Sequence, residues 1–246
     1  MTSHAVYITG TDTDCGKTAI SCLLIHLLSQ RFERVVGMKP VASGCDLTHG
    51  HWQNADALAL QAVSTPKPDY RWVNPIALPQ PLAPEIAAQR AGQTVTLEPI
   101  VAAFAHLRQS ANWVVVEGVG GWAAPISEQI DQADLVCQLD IPVILVVGLR
   151  LGCINHARLT EHFLQSNRVP CLGWIANCIT ATMAATVENI AILQRHLTLP
   201  YLGCHEWQGK SAHRGTDTAN LVTQCLQAYD AWRDQSAAPP PNHHHR

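Results

Sequence analysis

The chain has 246 residues, of which 47% are hydrophobic and only 14% charged, with a formal net charge of −3. An average globular domain carries roughly 25% charged residues, so this composition can bury a sizeable core and excludes disordered and collagen-like chains. The lack of surplus lysine and arginine argues against a broad nucleic-acid footprint. In chain order, residues 5–9 are predicted as a buried strand, and 17–29 as a helix with Ile20, Leu23, Leu24 and Leu27 on one stripe. A second strand is predicted over 35–41, a short helix over 55–63, and an irregular, proline-rich excursion over 64–84. Helices are predicted over 84–90 and 97–109, then near-continuous apolar strands over 113–116 and 143–147, the pattern of strands covered on both faces. A helix at 156–166, a strand at 172–176, a helix at 184–195 and a closing helix at 216–233 complete the series.

Strands alternating with helices imply a mostly parallel central sheet flanked by helices on both faces. No internal repeat or linker divides the chain, so one domain is expected over 1–235, followed by a disordered tail at 236–246 containing His243, His244 and His245. No basic stretch followed by an apolar core opens the sequence, so no signal peptide is expected. The longest apolar run, 142–149, falls far short of the roughly 20 residues of a spanning helix. Nine cysteines without a C-x-x-C pair suit small core residues in a reducing cytoplasm rather than metal ligands.

The most informative segment is Gly10-Thr11-Asp12-Thr13-Asp14-Cys15-Gly16-Lys17-Thr18. A strand, a tight loop and then G-K-T opening a helix is the context of a phosphate-binding loop, and so of a single-domain P-loop NTPase-type α/β fold. Backbone N–H groups and the helix dipole would face the phosphates, Lys17 would bridge the terminal phosphates, and the Thr18 hydroxyl would hold magnesium. Thr11 stands where such loops usually carry their first glycine, with Gly10 one place earlier. Asp12 and Asp14 are unexpected beside phosphates unless they point away, face a cation, or meet an amine-bearing substrate.

Lysine is scarce: only Lys17, Lys39, Lys67 and Lys210. Lys39 ends the second predicted strand on the rim where open α/β sheets bind ligands, and a lysine there is costly unless it meets an anion. Glu117 closes the strand beginning at Trp113, a place from which an acid can bind magnesium or its water. Asp56, at the start of a short helix, could add an oxygen, although by itself it reads as a helix-start acid.

These stretches together resemble the dethiobiotin synthetase family: GTDTDCGKT at 10–18, KPVASG at 39–44, NADALALQ at 54–61, EGVGGW at 117–122, LGCINHA at 151–157 and GWIAN at 173–177. The resemblance implies ATP- and Mg²⁺-dependent carboxylation of 7,8-diaminopelargonic acid with CO2, and ring closure to dethiobiotin through a phosphorylated carbamate. It implies Lys17 and Lys39 as catalytic cations, and Thr18, Asp56 and Glu117 as magnesium ligands. ATP contacts are implied for Thr13, Asp14, Cys15, Gly16, Lys17, Thr18 and Ala19, for Asp56, for Glu117, Gly118, Val119 and Gly120, and for Asn177 at the adenine. Substrate contacts are implied for Thr13, Lys39, Ser43 and for Gly152, Cys153, Ile154 and Asn155, which reach across a homodimer to the substrate's carboxylate tail. Asp14 and Cys15 replace the common Glu and Val, Arg150 stands where lysine is frequent, and the stretch 204–207 lacks the usual proline.

The rival readings are a partitioning or site-placement ATPase that binds DNA or membrane, an amide-forming cobyrinate-type synthetase, and a nucleotide-binding regulator without catalysis. The first would carry a further lysine five residues before Lys17, where this chain has Asp12. The second needs a glutaminase domain for which the chain has no room. The third is at odds with retention of both lysines and all three metal-ligand positions.

Overall fold

The computed structural model describes residues 3–207 and 218–237. Six parallel strands form the central sheet: β1 (His4–Gly10), β2 (Val35–Met38), β7 (Trp113–Glu117), β8 (Val143–Leu149), β9 (Cys171–Cys178) and β10 (Tyr201–His205). Their order is β10-β9-β8-β1-β7-β2. After β1 the chain runs to the β2 edge, returns to insert β7 between β2 and β1, and then crosses to β8, β9 and β10 on the other side. The direction of winding therefore reverses beside β1, the place where open α/β sheets form their ligand crevice.

Side-chain alternation along the strands makes two cores. Ala5, Tyr7, Val114, Val116, Leu145 and Val147 belong to one buried cluster, while Val6, Ile8, Val115, Ile144 and Val146 belong to the other. This is the period of two that places successive side chains on opposite faces. The first core is covered by α4 (Pro84–Ala91), α5 (Glu98–Ser110), α6 (Gln132–Leu139), α7 (Cys153–Ser166) and α8 (Thr186–His196). The second is covered by α1 (Lys17–Ser29), α2 (Ala55–Val63) and α9 (Thr218–Ala237). Both faces are thus closed, which is why these strands tolerate almost no polar residue.

Several expected elements are altered. The strand expected over 35–41 is split: β2 ends at Met38, and β3 (Val41–Ser43) pairs instead with β6 (Ile76–Leu78) in a separate two-stranded sheet. Pro40 has no N–H to continue a ladder, while Lys39 N donates to Val73 O at 2.7 Å and Ile76 N to Pro40 O at 3.2 Å. The excursion 64–84 is therefore not wholly irregular, since it holds α3 (Tyr70–Val73) and β6. A hairpin of β4 (Asp46–Thr48) and β5 (His51–Gln53), the helix α6 and the edge strand β10 were not expected. Three-residue strands are too short to show a period. The closing helix continues to Ala237, two residues into the expected tail, with Ser236 Oγ donating to Trp232 O at 3.0 Å. The rest of that tail, 238–246, lies outside the described residues, as do 216–217 and Lys210.

Candidate active site

The carboxyl ends of β1, β2 and β7 open into a cleft of about 370 Å³, lined by Thr13, Asp14, Gly16, Lys17, Thr18, Lys39, Ser43, Asn54, Asp56, Glu117, Val119 and Gly120. Each comes from the last residue of a strand or from the segment that follows one. The 11–16 loop runs from β1 into α1; Thr11 N donates to Val146 O at 3.0 Å and so extends the strand pairing. The left-handed turn comes later, at Asp14 (φ 58°) and Gly16 (φ 92°), so the unusual Thr11 demands no special backbone. Gly16 has a second reason: a Cβ there would lie 1.9 Å from Asn177 Nδ2.

At the cleft floor Lys39 Nζ sits between two carboxylates, 2.6 Å from Glu117 Oε1 and 2.9 Å from Asp56 Oδ2. Lys39 is only 4% exposed and Glu117 0%. The anion that a buried lysine needs is therefore supplied by the chain itself. Burial, the largest single influence, would lower the Lys39 pKa, but Glu117 and Asp56 together outweigh it and raise it. For Asp56, burial would raise the carboxyl, and Lys39, Thr18 and Lys17 outweigh it and lower it. Thr18 Oγ1 donates to Glu117 Oε1 at 2.8 Å, while the buried Glu117 Oε2 has no hydrogen-bond partner among the described residues. A buried carboxylate oxygen left open beside a hydroxyl and a second carboxylate is a hard-oxygen set suited to a divalent cation. Among the described residues, no three His, Cys, Asp or Glu side chains gather as a metal cluster. Such an ion would therefore complete its shell with phosphate oxygens and water.

Asn54 positions Asp56. Its side chain caps α2, accepting from the N–H groups of Asp56 at 3.0 Å and Ala57 at 3.3 Å, and donates to Ser43 O at 3.2 Å. Although part of a quoted motif, Asn54 was not expected as a site residue; its place before a helix was the available signal. Lys17 Nζ donates to the Asp12 carbonyl at 2.9 Å, and the Asp12 carboxylate accepts from Thr13 N at 2.7 Å and pairs with Arg150. Asp12 is thus the loop acid that faces a cation, and Asp14 is exposed on the cleft rim.

Four expected nucleotide residues do not line this cleft. Cys15 is buried beneath the loop, Gly118 is buried with its carbonyl 3.4 Å from Lys39 Nζ, and Ala19 is exposed on the first turn of α1. Asn177 is buried behind the loop, donating to Cys15 O at 2.9 Å, with Oδ1 2.8 Å from His205 Nδ1. Gly152, Ile154 and Asn155 line a separate cavity of about 740 Å³, next to a fully exposed Leu151 and a buried Cys153.

A family model described as an AAA domain matches residues 4–213. The chain is 58% identical over 208 residues to the ATP-dependent dethiobiotin synthetase BioD of Xanthomonas axonopodis pv. citri (strain 306), covering 85% of this chain and 93% of the relative. It is likewise 58% identical over 203 residues to the enzyme of the same name from Xylella fastidiosa (strain 9a5c), covering 82% and 90%. Among solved structures, a putative plasmid partition protein from Borrelia burgdorferi B31 bound to AMPPNP superposes with a TM-score of 0.57 at 9% identity, covering 94% of this chain and all (100%) of the other. At that identity the likeness shows the fold alone.

Proposed function

The chain belongs to the ATP-dependent dethiobiotin synthetases, a ligase family of biotin biosynthesis, and we propose that the Lys17–Lys39 cleft performs the synthesis through a phosphorylated carbamate. One neutral amine of 7,8-diaminopelargonic acid attacks the carbon of CO2 and releases a proton, leaving a carbamate anion. A carbamate oxygen attacks the γ-phosphorus of ATP and displaces ADP. The second amine then attacks the carbamoyl carbon and loses a proton, closing the ureido ring and expelling phosphate.

The observation that carries this reading is Lys39, buried between Glu117 and Asp56 on the rim shared with Lys17. The central difficulty of the reaction is bringing a carbamate anion against an anionic γ-phosphate, and fixed cations lining the cleft offset that repulsion. Lys17, held by a neutral carbonyl, keeps its charge available for the terminal phosphates, while the N-terminus of α1 offers N–H groups to the others. Mg²⁺, held by Thr18, Asp56 and Glu117, would neutralise phosphate charge. Thr13, Lys39 and Ser43 contact the diamine in this reading; Asn177, buried behind the loop, would have to exchange a present hydrogen bond to read the nucleotide base.

The Gly152–Asn155 turn serves the partner's site in a homodimer, in keeping with its distance in chain and cavity from the cleft. No helix among the described residues is long and apolar enough to cross a membrane, and all nine cysteines are free thiols, as suits the cytoplasm. No nucleic-acid partner is invoked: the net charge is −3, and Asp12 occupies the position where partition ATPases carry lysine. The test is formation of ADP and dethiobiotin from ATP, bicarbonate, Mg²⁺ and the diamine. Phosphate release that ignores the diamine would overturn the mechanism.

A further inference from the structure

The loop after β7 is held by a side chain that the chemistry above does not use. Gln132, the first residue of α6, is fully buried. Its Nε2 donates to Gly121 O at 2.5 Å and Val119 O at 3.0 Å, with Ala124 O at 3.3 Å and Trp122 O at 3.4 Å around the same nitrogen. Its Oε1 accepts from the Tyr7 hydroxyl at 3.0 Å. Four carbonyls around one atom and a hydroxyl on the other leave only one sense for the amide. There is room for this bracket because residue 118 is glycine: a Cβ there would lie 2.6 Å from Gln132 Oε1 and 2.7 Å from the Tyr7 hydroxyl.

In a planar trans peptide the C=O and the following N–H point in opposite directions. The Gly121 carbonyl turned towards Gln132 accordingly sends the next N–H, that of Trp122, away to Gly10 O at 3.1 Å, at the root of the phosphate loop. By the same geometry the Val119 carbonyl turned towards Gln132 sends the Gly120 N–H away from it, and Val119 and Gly120 both line the cleft. We propose that Gln132 is a positioning residue that aims the Gly120 N–H at the anionic oxygens of the nucleotide and holds Glu117's loop in register with the phosphate loop. This inference rests on the nucleotide-binding reading of the cleft.

Two variants and one measurement on the unaltered chain test it. Gln132→Asn fits the same space but is one methylene too short to bridge the loop and Tyr7. Its KM for ATP should rise at least about 10-fold, with kcat changed less than about 3-fold. Gln132→Glu can donate one hydrogen bond when protonated and repels the four carbonyls when ionised. Its KM for ATP, relative to the parent at the same pH, should therefore climb as pH rises. In the unaltered protein the Gly120 amide proton should move downfield in NMR when Mg·ATP binds.

The proposal is overturned if a folded variant melts lower yet binds ATP within about twofold of the parent, because the bracket is then structural only. It is equally overturned if the Gly120 resonance does not respond, a result that needs neither variant to fold. Direct Mg·ATP binding without the diamine keeps the two readings apart. Variant effects on binding without diamine-dependent turnover would sink the mechanism and keep the positioning role; normal turnover with unaffected variants would do the reverse.

Discussion

Replacing Lys39 with methionine removes one charge while keeping most of the side-chain volume. The lysine nitrogen lies 2.6 Å from Glu117 and 2.9 Å from Asp56. Removing one partner of a buried ion pair costs about 3–5 kcal/mol, because the other charge stays buried without compensation. Asp56 is 45% exposed, so water screens its share of the loss. Glu117 is 0% exposed and would keep only the Thr18 hydroxyl at 2.8 Å, so a loss near the lower end, about 3 kcal/mol, is expected. For a domain of this size each kcal/mol moves the melting midpoint by about 2–4 °C, so Lys39→Met should melt roughly 6–12 °C lower. Two carboxylates freed of their cation attract a divalent ion more strongly. Saturating Mg²⁺ without nucleotide should therefore raise the midpoint of the variant by more than that of the parent. Turnover, followed as ADP release, should fall by about 10² to 10³. A midpoint within about 1 °C of the parent, with an equal response to Mg²⁺, would refute the view that Lys39 compensates these carboxylates. Near-full turnover would remove it from the chemistry.

Glu117→Gln keeps an acceptor for Thr18 and Lys39 but removes the charge, so half-saturating Mg²⁺ should rise about 10-fold in a metal titration of turnover. Asn54→Ala deletes the α2 cap and the tie to Ser43; a thermal melt should show a loss of about 1 kcal/mol. Arg150→Ala breaks a pair whose side chains are 39% and 44% exposed, and denaturant unfolding should register less than about 1 kcal/mol. The folded-state pKa of Asp56 lies below its ordinary 3.8, so its stabilisation is present above pH 3.8 and lost as pH falls through the folded value. Lys39 lies above its ordinary 10.5, so its stabilisation is complete below pH 10.5 and lost as pH rises through the folded value. Melting midpoints of the parent and Asp56→Asn should therefore differ by a constant amount across neutral pH and converge both as pH falls through the folded value of Asp56 and as it rises through that of Lys39.

Much of the architecture was legible because strong local signals agree with the global fold. The helices at 17–29 and 55–63 have the expected bounds: one follows a phosphate loop and carries a continuous apolar stripe, and the other starts at a capping asparagine. The strands at 113–117 and 143–149 announce themselves as runs of branched apolar residues covered on both sides. The segment 39–53 was harder. Pro40 breaks a strand whose apolar character runs on through it, and β3 to β5 are three residues each. The β10 edge strand, Tyr201–His205, buries only Leu202 fully and mixes apolar with polar residues, so it lacks the continuous apolar run that marks the central strands.

The sequence by itself determined the chemistry on offer: a phosphate loop, two scarce lysines, one opening the helix after that loop and one following a strand, and three oxygen-bearing residues near them. It could do so because backbone geometry and charge cost act locally, restricting which residues can occupy such places. Only the tertiary structure decided what those groups do to one another. Lys39, Asp56 and Glu117 lie far apart in the chain, and their convergence depends on β7 inserting between β1 and β2. Asp12 meets Arg150, and Gln132 reaches back to Tyr7 across 125 positions. Such pairings follow from strand order and packing, non-local choices that no window of sequence contains.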